Sequence, residues 1–249
     1  MNTAIFGRLE IGRIPRIVGT LSSFDSLNRV TNLAEHACDI VEVRLDLVGI
    51  IGDWPTKCKS IEASGTPVIL TLRAASEGGK SHLANSERKA ILERALPIVS
   101  AIDVEFKSGL ADSLYAKAKA LGNAVVVSFH DFDKTPSLDE LSEIASQAGK
   151  HASVVKISTF INSASDLKIL QSLLQKDWDA PMCVIGMGPL GTSTRVTFPC
   201  AGSCLTYGYL DVPVAPGQVS ARTLVKQLRK TLRAYNEDFK TRHQSIEHV

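Results

Sequence analysis

The chain alternates between short apolar runs and longer segments in which apolar residues recur every three or four positions. Short runs rich in Val, Ile and Leu are typical of buried parallel strands, and the longer period is that of amphipathic helices. The sequence therefore predicts strands and helices in alternation. The predicted strands cover residues 15–21, 39–46, 67–73, 101–106, 123–129, 153–159, 182–187 and 203–209.

Helices are predicted between these strands from the spacing of their apolar residues. The first begins near Ser22 or Ser23 and continues past Leu33 and Ala34, and the last runs through Leu232. The others cover about residues 86–99, 110–121, 136–145 and 165–175.

Eight strands alternating with helices, with no linker or break in composition, predict one parallel α/β domain over residues 1–249. Eight is the strand number of a closed (β/α)8 TIM barrel. The alternative is a doubly wound open sheet. No G-x-G-x-x-G follows the first strand, and polar residues recur at the ends of nearly all strands rather than at one switch point, which favours the barrel.

Composition limits the possible partners. The net charge of +2 is spread over 28 basic and 26 acidic residues, without the basic block that nucleic acid or a membrane surface would require. Five cysteines with no C-x-x-C predict free thiols in a reducing compartment. The first twelve residues lack an apolar core of signal-peptide length, and no run reaches 18 apolar residues. We therefore expect a cytoplasmic protein.

A lysine lies at the centre of the sixth predicted strand, in the run S-V-V-K-I-S-T at residues 153–159. A buried ammonium either pairs with a carboxylate or loses its proton, because burial without a partner is costly. A neutral amine in a dry pocket attacks carbonyl groups, so Lys156 is a candidate Schiff-base nucleophile. The alternative is a structural lysine that reaches solvent or closes an ion pair.

Other polar residues occur at the ends of the predicted strands, which meet at one mouth in a parallel barrel. Taken singly, they have simpler explanations. His130 could be a histidine satisfied within its loop, and Arg195 could lie on a solvated helix. Arg44 could form an ion pair with Glu42 or Glu105 on the barrel floor. Their coincidence at one mouth favours a site. These residues are Glu42, Arg44, Asp46, Arg73, Glu77, Asp103, Glu105, His130, Lys156, Arg195 and Gln218, and the first three share one strand face by their spacing.

This set of residues predicts a type of chemistry. An amine nucleophile requires a ketone or aldehyde, and the imine that forms acidifies the adjacent carbon, whose proton His130 can carry. Arg73 and Arg195 suit a carboxylate or phosphate, because a guanidinium meets planar anions with two hydrogen bonds. No H-E-x-x-H or Cys/His cluster indicates a metal. We expect carbon-acid chemistry on a keto acid or keto phosphate, without a metal.

The same residues lie in motifs that resemble, in their order, those of the type I 3-dehydroquinate dehydratases. The resemblance extends over about residues 15–230. The motifs are E-V-R-L-D at 42–46, T-L-R at 71–73 with E-G-G at 77–79, S-F-H-D-F at 128–132, the Lys156 strand, M-G at 187–188 with Arg195, and A-P-G-Q at 215–218.

The resemblance implies a lyase that converts 3-dehydroquinate to 3-dehydroshikimate, the third step of the shikimate pathway, in a cofactor-free homodimeric barrel with a lid loop after the eighth strand. It assigns the imine to Lys156, general acid–base catalysis to His130 and the orientation of that histidine to Glu77. Val214 stands where the family often has a serine that reaches the substrate. The implied substrate contacts are Thr20, Glu42, Arg44, Arg73, Arg195, Tyr207, Val214 and the lid residue Gln218.

Two other functions remain open. A class I aldolase or transaldolase would also use a barrel with a lysine on its sixth strand, although it lacks the S-F-H-D-F and A-P-G-Q segments. A non-catalytic barrel could keep the pocket only to bind a carboxylated metabolite. Loss of Lys156 or His130 would have favoured this last function, and both are present.

Overall fold

The structure, a computed structural model, describes residues 2–30, 37–215 and 217–244. A short antiparallel hairpin of β1 (Ala4–Phe6) and β2 (Leu9–Ile11) precedes a sheet of eight parallel strands. The first seven of these strands pair in their order along the chain, and the eighth pairs with the first rather than with the seventh. They are β3 (Arg16–Leu21), β4 (Ile40–Arg44), β5 (Val68–Thr71), β6 (Ala101–Glu105), β7 (Ala124–Asp131), β8 (Val154–Phe160), β9 (Met182–Met187) and β10 (Leu205–Tyr209).

The sheet curls into a nearly closed barrel. Strand β10 lies beside β3 in parallel register, and at the remaining seam the Cys204 amide donates to the Met182 carbonyl at 2.7 Å. The Ser203 hydroxyl accepts from the Val184 amide at 3.0 Å across the same seam. The predicted (β/α)8 TIM barrel is therefore confirmed, and all eight predicted strands are present.

Helices cover the outside of the barrel, and their apolar faces pack on the outward side chains of the strands. Within the described ranges, no helix is both long and apolar enough to span a membrane. The helices are α1 (Phe24–Arg29), α2 (Leu45–Val48), α3 (Trp54–Ala63), α4 (Asn85–Ala95), α5 (Ala111–Ala120), α6 (Leu138–Gly149), α7 (Ala164–Leu174), α8 (Thr194–Cys200), α9 (Ala221–Thr231) and α10 (Arg233–Gln244).

Three details differ from the sequence-based expectation. Strand β4 ends at Arg44 and α2 follows at once, so Asp46 lies on a helical turn and the prediction that it shares a strand face with Glu42 is wrong. The last predicted helix is interrupted, because Leu232 has an extended backbone and separates α9 from α10. The hairpin and α3 were not predicted. Leu33 and Ala34, in the first predicted helix, lie outside the described residues.

Inside the barrel, the two-residue period of the strands separates an apolar layer from a polar one. Near the amino ends, the inward residues pack against the hairpin side chains of Phe6 and Ile11. Two positions further along most strands, the same face carries a polar group. The apolar layer includes Val18, Ile40, Ile69, Ala101, Val126 and Val154, and the polar layer above it is Thr20, Glu42, Thr71, Asp103, Ser128 and Lys156.

Candidate functional site

One cavity of about 540 Å³, partly open to solvent, lies above this polar layer at the carboxyl ends of the strands. The structure brings to its wall all the residues to which the resemblance assigns a role. These are Thr20, Glu42, Arg44, Arg73, Glu77, His130, Lys156, Arg195, Tyr207, Val214 and Gln218. The other strand-end candidates, Asp46, Asp103 and Glu105, do not line it. The remaining lining residues are Gly78, Phe132, Ser158, Ile185, Met187 and Ala215.

Lys156 is buried on β8 and paired with an acid. Its Nζ lies 3.2 Å from Oδ2 of Asp103 and 4.1 Å from the centre of the Tyr207 ring. A buried lysine either pairs with a carboxylate or loses its proton, and in the resting protein Lys156 pairs with the carboxylate of Asp103. Burial alone would raise the pKa of Asp103, but Arg73 and Lys156 hold that pKa below its usual range, so Asp103 stays ionised.

Arg73 belongs to the same buried network. It donates to Asp103 at 2.8 Å and to the Ser128 hydroxyl at 2.7 Å, and it lies 3.7 Å from Glu105. Ser128 in turn donates to Asp103 at 2.6 Å, and Arg88 from α4 pairs with Glu105. Two acids therefore balance the charge of Arg73.

His130 and Glu77 form a pair at one side of the cavity. Nδ1 of His130 lies 3.0 Å from Oε2 of Glu77, which leaves Nε2 for a ligand. Burial, together with nearby Arg73 and Lys156, lowers the pKa of His130 well below its usual value. Burial also raises the pKa of Glu77 to about 7, against the opposing charge of Arg73. The imidazole is thus neutral at pH 7 and able to accept a proton.

Glycine at position 78 allows the approach of an aromatic ring to this pair. Gly78 has a φ of +74°, and a Cβ there would lie 2.5 Å from the ring of Phe132. That ring stacks on His130, with centroids 6.0 Å apart and planes 16° apart. The E-G-G segment therefore places Glu77 against the histidine and keeps space for Phe132.

A second buried acid is held by hydroxyl groups. Both oxygens of Glu42 accept hydrogen bonds of 2.8 Å, one from Thr20 and one from Thr71. Nearby, Arg44 makes a bidentate pair with Asp46, at 2.9 and 2.8 Å. The floor ion pair that the sequence suggested between Arg44 and Glu42 or Glu105 is thus replaced by a pair with Asp46.

Arg195 differs from the other two cavity arginines, because no acid of the described residues lies within ion-pair distance of it. It lies on α8 but is 2% exposed, so the alternative of a solvated helix is wrong. Its guanidinium donates to the carbonyls of Gly217, at 3.0 Å, and Tyr207, at 2.8 Å. Burial lowers its pKa to about 10, so it remains charged at pH 7 and can balance an anionic ligand.

The loop between β10 and α9 forms one wall of the cavity, where the lid was expected. The Val214 amide donates to Oε1 of Gln218 at 2.8 Å, which folds the loop on itself. Gly217 has a φ of +72°, and a Cβ there would lie 2.6 Å from the Gly188 carbonyl oxygen. Pro216 of the A-P-G-Q segment lies outside the described residues.

Some lining residues were not predicted. Ser158 and Ile185 each lie two positions after an inward residue of β8 or β9, so the strand period could have identified them. Asp103 was placed among the strand-end acids with no role, and its pairing with Lys156 carried no local signal because the two are 53 residues apart.

The fold and the site define a (β/α)8-barrel enzyme whose polar side chains meet at the carboxyl ends of the strands. Comparison with known proteins is more specific. The model of the family described as type I 3-dehydroquinase matches residues 18–233. The 3-dehydroquinate dehydratases of Methanocella arvoryzae and Methanothrix thermoacetophila are 35% and 38% identical over 217 and 221 residues. These matches cover 86% and 87% of this chain and 96% and 92% of the relatives.

Solved structures agree with this result. The 3-dehydroquinate dehydratase of Aquifex aeolicus superposes with a TM-score of 0.78 at 27% identity, over 87% of this chain and 99% of that one. The enzyme of Geobacillus kaustophilus, at 23% identity, has the same fold, with a TM-score of 0.83 over 92% of this chain and 99% of that one. The chain belongs to the type I 3-dehydroquinase family. The predicted resemblance and the prediction of a lyase of the shikimate pathway are therefore confirmed, and the aldolase and non-catalytic alternatives have no support.

Proposed function

We propose that this protein dehydrates 3-dehydroquinate through an imine on Lys156, with His130 as general acid and base. The observation that carries the proposal is the adjacency of these two side chains. In the β7–β8 register, Ser128 pairs with Lys156 and His130 pairs with Ser158, so both functional groups face the cavity from neighbouring strands.

The first steps follow from the charges of the site. Asp103 stays ionised, so neutral His130 is the base available to take a proton from the Lys156 ammonium. The free amine attacks the substrate ketone to give a carbinolamine. His130 returns its proton to the carbinolamine hydroxyl, which leaves as water, so that the protonated imine forms and the imidazole is neutral again. That cation withdraws electrons from the adjacent carbon and makes its proton acidic.

The elimination then uses His130 twice. Nε2 removes the proton from the carbon next to the imine, and the imidazolium returns a proton to the hydroxyl one carbon further, which leaves as water. The new double bond is conjugated with the imine. Hydrolysis of the imine consumes one water, releases the enone product and restores the Lys156 amine.

Substrate binding is assigned from the pairing of the arginines. The guanidiniums of Arg44 and Arg73 already contact acids, whereas that of Arg195, among the described residues, contacts carbonyl oxygens and no acid. Arg195 is therefore assigned to the substrate carboxylate, because an unbalanced buried cation favours an anion. Arg44, Arg73, Glu42 and Gln218 are left to contact hydroxyl groups of the substrate.

The direct test is to add 3-dehydroquinate and follow the ultraviolet absorbance of the conjugated product. Wild-type protein should give a rising signal, and Lys156→Ala, which removes the nucleophile, should give none. A folded wild-type protein that produces no absorbance change would contradict the proposed reaction.

A second experiment tests the imine. Borohydride added with the substrate should inactivate the enzyme and leave an adduct on Lys156, because reduction turns the imine into a stable amine. Peptide mass spectrometry should locate that adduct. Lys168 on α7 is the control site, since it lies outside the cavity. An adduct on Lys168 alone, or no adduct with active enzyme, would exclude the imine.

On the resemblance alone, we also propose a homodimer in the cytoplasm. Sedimentation of the purified chain at micromolar concentration should give twice the monomer mass of 26.8 kDa. A monomer that is fully active would contradict the dimer as the working form.

A further inference from the structure

Tyr207 carries a polar group that the protein itself does not satisfy. The residue is 4% exposed and lines the cavity, and its hydroxyl is buried with no hydrogen-bond partner among the described residues. Buried hydroxyl groups nearly always have a partner, because losing water without replacement destabilises the fold. An unpaired hydroxyl in the wall of a ligand cavity therefore indicates a partner that arrives with the ligand.

The contact that the Tyr207 ring makes does not explain why this residue carries a hydroxyl group. The Lys156 ammonium lies 4.1 Å from the ring centre, a cation–π contact that a phenylalanine ring would also provide. Burial keeps the pKa of Tyr207 well above its usual value, with smaller contributions from Cys183, Glu42 and other neighbouring groups. The hydroxyl thus keeps its proton and can donate a hydrogen bond.

The neighbouring acids are already engaged. Glu42 accepts from Thr20 and Thr71, and Asp103 accepts from Arg73, Ser128 and Lys156. No oxygen of either acid lies within hydrogen-bond distance of the Tyr207 hydroxyl.

A second hydroxyl in the cavity wall has no partner in the protein. Ser158 follows Lys156 by two positions on the same face of β8 and lines the cavity. Its side chain makes no hydrogen bond to any residue in the described ranges, although its oxygen, unlike that of Tyr207, is not fully buried. Two hydroxyls without partners among the described residues thus lie near Lys156, an arrangement suited to a ligand rich in oxygen atoms.

We propose that the Tyr207 hydroxyl donates a hydrogen bond to a substrate oxygen at, or on the carbon beside, the carbonyl that Lys156 attacks. Tyr207 then determines specificity, because it selects ketones with an oxygen on the deep side of the cavity. The inference rests on the proposed function, since it takes Lys156 to be the group that attacks the ketone.

A matched pair of substitutions tests this role. Tyr207→Phe removes only the unpaired hydroxyl, and Tyr235→Phe removes a buried hydroxyl that donates to Asp39 at 3.0 Å, far from the cavity. Without ligand, Tyr207→Phe should unfold at the wild-type temperature or above it, because no hydrogen bond is lost. Tyr235→Phe should unfold at a lower temperature, because its hydrogen bond is lost.

In the presence of 3-dehydroquinate, Tyr207→Phe should be the affected variant. Tyr207→Phe should raise KM for 3-dehydroquinate by about 3- to 10-fold, the factor of one neutral hydrogen bond, and should reduce the thermal stabilisation by that compound. Tyr235→Phe should keep the wild-type KM.

Two outcomes would overturn the inference. If Tyr207→Phe keeps both the wild-type KM and the wild-type stabilisation by ligand, the hydroxyl serves only a trapped water. If it unfolds early and keeps KM, its role is structural. The proposed function fails separately, when wild-type protein does not dehydrate 3-dehydroquinate. In that case, the thermal stabilisation by 3-dehydroquinate can still be measured for wild type and for both tyrosine variants, and it tests the role of Tyr207 without turnover.

Discussion

The protonation of Glu77 and His130 is set by their surroundings rather than by their residue types. Burial raises the pKa of Glu77 to about 7 and, with two nearby cations, lowers that of His130. Near neutral pH the group that titrates is therefore the carboxyl group. As pH falls through about 7, Glu77 gains a proton and no longer supports positive charge on the imidazole.

The titration of Glu77, rather than His130, near neutral pH predicts the pH dependence of the rate. In wild-type protein, kcat/KM should fall on the acid side with an apparent pKa near 7. Glu77→Gln should remove that limb, because the amide does not titrate, and should lower the rate at pH 8 by about 10-fold or more, since imidazolium loses its anionic partner. Initial rates between pH 5 and 9 measure both effects. A limb near pH 7 that persists in Glu77→Gln would assign this pKa to another group.

The identity of the site residues could be predicted from the sequence, but their pairing could not. Glu42 and Lys156 alternate with apolar neighbours, so the strand period alone places them inside the barrel. Asp103 and Lys156 meet only after the barrel has closed. The prediction that Asp46 shares a strand face with Glu42 failed because a helix begins one residue earlier, at Leu45. The alternation of charged residues continues across that boundary and gives no sign of it.

At the scale of elements, the loop after β10 is attached to its neighbours by polar contacts. Asp211 accepts hydrogen bonds of 3.0 Å from the amides of Ser22 and Ser23 in the loop after β3. Near the other end, Arg195 holds the Gly217 carbonyl. Because Arg195 is also the proposed contact to the carboxylate, substrate binding and the position of this loop are linked through one side chain.

Val214, within this loop, lines the cavity with an apolar side chain, at the position where the resemblance implies a serine that reaches the substrate. Val214→Ser should lower KM for 3-dehydroquinate by about 2- to 10-fold with little change in kcat, if one neutral hydrogen bond forms equally in the ground and transition states. Steady-state kinetics would measure the change. An unchanged or raised KM would mean that valine instead packs the closed loop.

Elements that the sequence did not reveal were short or lacked a clear period. Strands β1 and β2 have three residues each, too few to define a two-residue alternation. Helix α3 has its buried residues Trp54, Cys58 and Ile61 at helical spacing, but the lysines and other polar residues between them obscure that period in the sequence. The break at Leu232 was hidden because this leucine continues the apolar spacing of α9 in sequence.

Across the whole molecule, the last helix is bound to the first barrel strand by a partly buried polar cluster. Asp238 on α10 forms an ion pair with Arg16 at the start of β3. It forms a second with Arg242, whose Nε lies 2.7 Å from Oδ2 of Asp238. Arg242 also pairs with Asp39 at 2.7 Å, and Tyr235 donates to the same acid. Residues more than 190 positions apart are thereby held together.

Removing one acid from this cluster should destabilise the fold without affecting the site. Asp238→Asn should lower the free energy of unfolding by about 1–2 kcal/mol, less than for a fully buried pair because Asp238 is partly exposed. Glu237→Gln is the control: its partner Arg233 is exposed, so the loss should be much smaller than that of Asp238→Asn. Urea unfolding at pH 7 measures both, and equal losses would contradict a special role for Asp238.

The pH dependence of this contribution has a definite sign. Burial alone would raise the pKa of Asp238, but hydrogen bonds from Arg16 and Arg242 lower it below its usual value. The folded protein therefore binds the proton less readily than the unfolded chain. The stabilisation is present above the usual carboxyl pKa and is lost as pH falls through the lower, folded value.

The hairpin of β1 and β2 plugs the amino end of the barrel. Phe6 and Ile11 are fully buried against the apolar layer there, whereas the candidate site lies at the other end, beside the β10 loop. In the proposed reaction, substrate, product and the released water would pass through the mouth at that end. A compound that seals this mouth would trap whatever lies beneath it, so its dissociation rate, more than its affinity, would set how long the enzyme stays inactive.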